Sequence, residues 1–363
     1  MQCSKILVFA TKGTSSNEEK RIIELLQNFD LRIVAFSPNQ KFQSYLEILR
    51  QAKEINPSLV VMEGTGIFGG LACLYLRIFK GIPFIFSSGD AIAPFLALNY
   101  PLLLPFTLLY EATLYRLCRG FIGWTPYLVG RALTFGAPRA MTAAGWVHFE
   151  RSPEKLAESR KTIRTELGIP ENAIVFGLLG AIVWNQRVNY CYGYELVKAF
   201  QQIQRQDIYV LIIGEGSGLK ILKDLASTNL SKRIFLTGNV LLEKVLDYMA
   251  VMDVASLPQS VDGVGSFRYT TKICEYIAAR LPTMISQVPV GYDICEDWVW
   301  RLQGNKPWDS EYISEIASLM ENITESEIHQ KKQALPKYIS HFDLNLQVKR
   351  VTNFIQDILI CGE

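Results

Sequence analysis

The chain has 363 residues, 49% of them apolar, and a net charge of +2 from 37 Lys and Arg against 35 Asp and Glu. That length suits two domains of ordinary size, and the near balance of charge excludes a field-driven nucleic-acid partner. Seven cysteines without a CxxC spacing point to reduced thiols in a cytosolic protein rather than a disulfide framework.

The opening residues hold too short an apolar run for a signal peptide and lead directly into a strand over 5–10. Lys12, Gly13 and Thr14 then turn the chain toward a helix at about 18–28. Such a turn lies at the carboxyl edge of a parallel sheet, where open α/β folds bind ligands, and it lacks Walker A spacing. Strands are expected at 31–36, 59–63 and 83–87, with helices at 42–54 and 68–79. This alternation implies a parallel, doubly wound sheet. Residues 91–110 form twenty residues without a charge. Their length would allow a membrane span, but Pro94, Pro101 and Pro105 argue against a regular one. The stretch reads either as an interfacial segment, with Arg116, Arg119 and Arg131 facing anionic lipid, or as part of the first core. Helices at 108–117 and 126–135 and strands at 121–124 and 140–144 complete this half.

A linker is expected at 147–152, ahead of a charged amphipathic helix at 152–167. A second alternating set follows, with strands at 175–179, 209–213, 234–237, 254–257 and 283–286. Helices are expected between them at 193–204, 219–227 and 243–252, and later at 313–324 and 344–359. The domain reading is therefore 1–150, 151–340, and a C-terminal helix within 341–363 packing back on the first domain. The histidines His148, His329 and His341 are far apart in sequence and form no metal-ligand motif, so a zinc enzyme is not expected. The glycines at 214–218 are spaced GxGxG rather than GxGxxG, which disfavours a dinucleotide fingerprint.

The most informative stretch is 261–286. A loop with Gly263 and Gly265 feeds a helix from about Tyr269, so backbone amides and the helix dipole would face an anionic ligand such as a diphosphate. Glu275, farther along that helix, could accept hydrogen bonds from a ribose diol. The plainer alternative is an ordinary βα unit with a solvated pair of Glu275 and Lys272.

Several pieces recur in order: F-G-L-L-G at 176–180, K-A-F at 198–200, L-I-I-G-E-G at 211–216 and I-F-L-T-G-N-V at 234–240. Asp253 and Val254 follow with Leu257 and Pro258, then T-K-I-C-E-Y-I-A-A at 271–279 and Pro282. Together they resemble the C-terminal domain of GT-B glycosyltransferases, most closely glycosyltransferase family four. The resemblance covers about 175–290. The first half matches only in its βα pattern and in the Tyr110 and Glu111 helix before Phe121, Ile122 and Gly123.

The resemblance implies an α/β fold of the GT-B kind, two Rossmann-like doubly wound domains facing across a cleft. It implies a nucleoside-diphosphate-sugar donor held mostly by the second domain. Glu275 would bind the ribose, groups near Gly238, Asn239 and Val240 the base, and amides of Gly265, Ser266 and Phe267 the diphosphate. Gly13 joins this donor-binding set from the first domain. No metal or further cofactor is implied, because amides and basic side chains neutralise the leaving diphosphate.

Departures from the family pattern bear on the chemistry. Phe267 stands where the family's first glutamate usually touches the donor sugar. Tyr192 replaces the usual lysine before Gly193, so Arg187 is the substitute nominated for the diphosphate, with Arg268 and Lys272 in reserve. Asp90 follows Gly89 and lacks the usual preceding histidine. It would orient a substrate in a retaining reaction or act as base in an inverting one. The plainer readings are Asp90 as a helix cap and Arg187 as a solvated loop residue.

The expected activity is sugar transfer to a hydroxyl of a polysaccharide or lipid-linked glycan. The expected location is cytoplasmic, peripheral at the inner membrane face through 91–110. A non-catalytic relative that binds a nucleotide or partner, and a sugar-nucleotide epimerase, are the alternatives.

Overall fold

Short runs of Val, Ile, Leu and Phe, buried on both faces, are the sequence form of parallel strands covered by helices. The computed structural model describes residues 5–98, 100–147, 151–227, 232–269, 272–294, 297–337 and 339–360. His148, Thr271 and residues 148–150 of the expected linker lie outside the described residues. The chain divides into two compact units. The first comprises residues 1–145, 267–269 and 339–363, and the second comprises 146–266 and 270–338.

In the first unit the chain runs through β1 (Lys5–Ala10), α1 (Asn17–Leu25), β2 (Asp30–Ile33), α2 (Lys41–Ile55) and β3 (Leu59–Glu63). It continues through α3 (Ile67–Lys80), β4 (Phe84–Ser88), α4 (Ile92–Ala97) and α5 (Leu104–Leu117). Then come β5 (Gly120–Gly123), α6 (Pro126–Thr134) and β6 (Ala140–Thr142). All six strands are parallel in the order β2-β1-β3-β4-β5-β6. Phe86 packs on Phe121 (4.9 Å between centroids) and on Tyr115 (5.1 Å), filling the layer between sheet and helices.

The second unit begins with α7 (Pro153–Leu167), β7 (Ile174–Leu179), α8 (Tyr194–Phe200) and β8 (Ile208–Ile213). Next are α9 (Leu219–Ala226), β9 (Ile234–Leu236), α10 (Val245–Met249), β10 (Val254–Leu257) and α11 (Lys272–Ala278). It ends with β11 (Thr283–Ser286), α12 (Val290–Asp293), β12 (Val299–Leu302), α13 (Ser310–Asn322) and α14 (Glu325–Ala334). Its six parallel strands are ordered β12-β11-β10-β7-β8-β9. The final helix, α15 (Leu344–Ile360), belongs to the first unit. It buries Val351, Ile355 and Ile358, and Phe354 and Ile358 lie over Gly120.

The uncharged stretch divides in two. Ala91, Ile92, Ala93 and Ala97 are buried, whereas Leu102 is 92% exposed, with Phe106 and Leu109 also outward. Among the described residues no helix is long and apolar enough to cross a membrane. Glu111 explains how the buried half is held. Its carboxylate accepts from the amides of Ile92 (3.1 Å) and Ala93 (3.3 Å) and from both arms of Arg131. Glu111 therefore serves the start of α4, where Asp90 was the candidate cap. Arg131, one of the arginines assigned to lipid, is spent on this ion pair at 2.6 Å.

Candidate functional site

The carboxyl edge of each parallel sheet is where a doubly wound fold presents its loops. In the second unit these loops are tied to one another by backbone bonds. The amide of Gly180 donates to Ile213, that of Ile182 to Glu215, that of Gly218 to Ile182 and that of Gly214 to Gly238. A Cβ on Gly214, whose φ is +143°, would lie 1.8 Å from the carbonyl oxygen of Gly180. The glycines at 214–218 thus serve the close approach of neighbouring loops, which accounts for a spacing that is not a dinucleotide fingerprint.

Beside this frame lies α11. Its register is set by Tyr276, whose hydroxyl donates to the Ser256 carbonyl (2.9 Å) and accepts from the Leu179 amide (3.2 Å). That anchor joins α11 to the ends of β7 and β10, and Lys272 lies against the loop after β7. The Lys272 ammonium sits 4.5 Å from the centre of the Tyr192 ring. A Cβ at Gly180 would meet Lys272 Cε at 2.9 Å. Gln259, buried, donates to the Tyr192 hydroxyl at 3.3 Å. Glu275 is half-buried, one turn on from Lys272. Desolvation pushes its carboxyl up to about 7, against the pull of the Lys272 charge.

The other nominated residues of this unit are more dispersed. Asn239 is exposed and Val240 half-buried beyond β9, while the Gly238 carbonyl accepts from Thr237 Oγ1 at 2.9 Å. Arg187 is exposed on the loop after β7, its amide bonded to Asn185 Oδ1. The Gly265 amide donates to Asp262 Oδ1 (2.9 Å) and the Ser266 amide to the Asp262 carbonyl (3.1 Å). Two of the three amides nominated for a diphosphate therefore already have partners within their own loop.

Phe267 and Arg268 fall in the first unit. The Phe267 carbonyl accepts from Thr125 Oγ1 at 2.9 Å, and its ring lies 5.4 Å from the Arg131 guanidinium. Arg268 Nε donates to Asp90 Oδ1 at 2.5 Å. The structure thus brings together two nominated residues 178 positions apart, Asp90 and Arg268. Gly13 is buried in the turn after β1 with φ +106°, and a Cβ there would meet Pro38 at 3.0 Å.

Sequence reasoning passed over a buried pair on the same edge of the first sheet. Arg21 meets Glu63 at 2.9 Å and donates to Ser87 and to the Ala143 carbonyl. Trp124 Nε1 donates to Glu63 (3.1 Å), and the Arg21 guanidinium lies 4.3 Å from the Trp124 ring centre. Burial pushes the Glu63 carboxyl up and the Arg21 guanidinium down, opposed by their mutual attraction. Glu195 and Tyr190 were also passed over. They form a buried hydrogen bond of 3.0 Å under the loop after β7, and desolvation raises the Glu195 carboxyl to about 7. Single residues in a strand, helix or loop carry no sequence signal for such partners. Among the described residues, no group of three or more His, Cys, Asp or Glu is placed to hold a metal ion.

Two parallel sheets of six strands with flanking helices constitute the GT-B glycosyltransferase fold. Residues 174–322 match the model of the family described as glycosyl transferases group 1. Over that stretch, which spans most of the second unit's sheet and helices, the chain is similar to that family. Solved structures agree in fold across nearly the whole length. HepE from Anabaena, in complex with UDP and glucose, superposes with a TM-score of 0.70 at 13% identity, covering 98% of this chain and 100% of that one. Sucrose-phosphate synthase from Thermosynechococcus elongatus gives 0.68 at 13% identity, with 99% and 100% covered. WaaG, a glycosyltransferase involved in lipopolysaccharide biosynthesis, gives 0.63 at 12% identity, with 96% and 99% covered. No curated protein matches in sequence.

Proposed function

We propose that this protein moves a sugar from a nucleoside-diphosphate-sugar to a hydroxyl of a polysaccharide or lipid-linked glycan, with retention of configuration and without a metal. The observation that carries this reading is the half-buried Glu275 on α11, near Lys272, whose ammonium faces the Tyr192 ring beside the loop after β7. A ribose diol would donate to Glu275 and offset its desolvation. Gly238, Asn239 and Val240 would meet the base. Lys272 and Arg187 would lie toward the diphosphate, whose negative charge grows as the glycosidic bond breaks. HepE is described in complexes with UDP, with UDP and glucose, and with UDP-glucose, and UDP is the nucleotide proposed here.

Asp90 is proposed to orient a substrate, and its ion pair with Arg268 sets its side chain. With Phe267 in the place of the family's sugar-contacting glutamate, donor-sugar recognition would fall to other groups. The exposed apolar side chains of 102–109 are proposed to meet a membrane surface, which suits a lipid-linked acceptor. Incubation of the purified protein with UDP-sugars tests the reading. UDP release, or transfer to added glycolipid, is expected from the wild type and not from Glu275→Ala. The packing of Phe267 and the engagement of Arg268 by Asp90 favour a second reading, a relative that binds nucleotide without turnover. UDP binding with no release from any donor would establish that reading instead.

A further inference from the structure

Tyr192 stands where the family pattern has a lysine, and the second unit fixes its ring from several sides. Gly193, next in the chain, turns left-handed with φ +91°. Its amide donates to the buried Glu195 carboxylate at 3.1 Å. The same carboxylate accepts from the Tyr190 hydroxyl at 3.0 Å. The Tyr190 ring in turn stands edge-on to that of Tyr192, 6.3 Å between centroids at 84°. At the tip, the Tyr192 hydroxyl accepts from Gln259 Nε2 at 3.3 Å. Gln259 lies just past β10, is 4% exposed and is tied down itself. Its backbone amide donates to Ser286 Oγ at the end of β11 (3.0 Å), and its Nε2 also donates to the Pro258 carbonyl (2.7 Å). A side chain held beside its backbone, along its edge and at its tip has little freedom to turn.

One face of that ring receives the Lys272 ammonium, 4.5 Å from the ring centre and within cation–π range. Gly180, at the end of β7, makes the approach possible. A Cβ there would lie 2.9 Å from Lys272 Cε, 3.4 Å from its Nζ and 3.4 Å from Tyr192 Cδ2. Lysine stem and tyrosine ring thus meet over a residue without a side chain. The charge that the family pattern puts on the loop at 192 is delivered beside that position from α11. Lysine is a flexible four-carbon chain, so a ligand that must order it loses affinity in doing so. A ring that orders it beforehand removes that loss and leaves ammonium hydrogens for an anion.

We propose that Tyr192 and Gln259 are positioning residues for the donor diphosphate. Gln259 sets the Tyr192 ring, and the ring holds the Lys272 ammonium ready for the negative charge of the nucleotide. The proposal rests on the donor-site reading and assigns that site a cation ordered before the nucleotide arrives.

The test is a double-mutant cycle on the full-length protein, read by calorimetric titration of UDP with melting temperatures measured alongside. Lys272→Met is expected to weaken UDP about tenfold. Tyr192→Leu, which removes the ring, is expected to weaken it about fivefold, and Tyr192→Phe, which keeps the ring, less than about twofold. On the Lys272→Met background, Tyr192→Leu is expected to add less than about twofold, because the residue it positions is already gone. A merely structural role would add its full loss on either background. Gly180→Ala keeps both side chains while its methyl displaces the lysine stem, so it serves should Tyr192→Leu fail to fold. It is expected to weaken UDP by a similar factor and, again, only on the background that retains Lys272. Val183→Ser, at a 61% exposed residue of the same loop, is expected to leave UDP affinity unchanged. The proposal is overturned if Tyr192→Leu and Gly180→Ala leave UDP affinity unchanged, or if their losses persist undiminished on Lys272→Met. UDP binding that ignores Tyr192 would overturn this proposal alone, whereas no UDP binding by the wild type would overturn the donor-site reading and the proposal with it.

Discussion

Replacing Glu275 by Gln removes a charge while keeping the shape of the side chain, and the structure fixes the sign of the result. The Glu275 carboxyl is raised from 4.5 to about 7 in the folded protein, chiefly by desolvation. A displacement of that size corresponds to about 3 kcal/mol of penalty on the ionised form, an upper bound for a side chain only half-buried. Below pH 4.5 the group is protonated whether folded or unfolded, and it contributes nothing. Between about 4.5 and 7 the folded state holds a proton that the unfolded state releases, so stability falls as pH rises. Above 7 the whole penalty is present. The Gln variant lacks it at every pH. Urea unfolding should therefore show the two proteins equal near pH 4 and the variant more stable by up to about 3 kcal/mol near pH 8. UDP affinity should move the opposite way, about tenfold weaker in the variant at pH 8, where a charged acceptor is lost. A variant no more stable at pH 8 than at pH 4, with unchanged affinity, would refute the reasoning.

Other substitutions probe the frame around the site. Gly214→Ala places a methyl 1.8 Å from the Gly180 carbonyl oxygen at a φ of +143°, and a loss of more than about 3 kcal/mol is expected by thermal unfolding. Tyr276→Phe leaves the Leu179 amide and the Ser256 carbonyl without their shared partner. It should cost about 1–3 kcal/mol and weaken UDP binding, read by calorimetry on one sample set. Glu63→Gln leaves Arg21 buried without its counter-charge; chemical denaturation should register a loss of about 3–5 kcal/mol. Asp90→Asn disrupts a partly exposed pair, so stability should fall by less than about 1 kcal/mol. Donor turnover should fall much more if Asp90 orients a substrate, as a comparison of melting temperature with UDP release would show.

Both sheets were legible because their strands are continuous apolar runs separated by helical spacing. The failures have local causes. The sequence places β2 at 31–36, where Val34 and Phe36 are apolar, yet the strand is Asp30–Ile33, with two charged residues among its four, at the sheet edge beside β1. β12, V-W-R-L, was missed because it is short and carries an arginine. α14 buries only Ile328 and shows little periodicity to read. α4 was hidden by Pro94, which its first turn accommodates.

The site divides similarly. Glu275 and Lys272 stand out through helical spacing inside a motif. Tyr276 looks like any core aromatic until its hydroxyl is seen bridging two strand ends. The Asp90 and Arg268 contact joins residues 178 apart, and the Glu63 partnership with Arg21 spans 42. No window along the sequence contains either. Phe267 was legible as a departure from the family pattern, but its packing in the first unit was not.

The central claim is that Glu275 belongs to a nucleotide site, and calorimetric titration of UDP into wild type and Glu275→Ala tests it most directly. Saturable binding to the wild type, weakened at least about tenfold in the variant, is the result this account predicts. No binding to the wild type, or equal binding to both proteins, would contradict it.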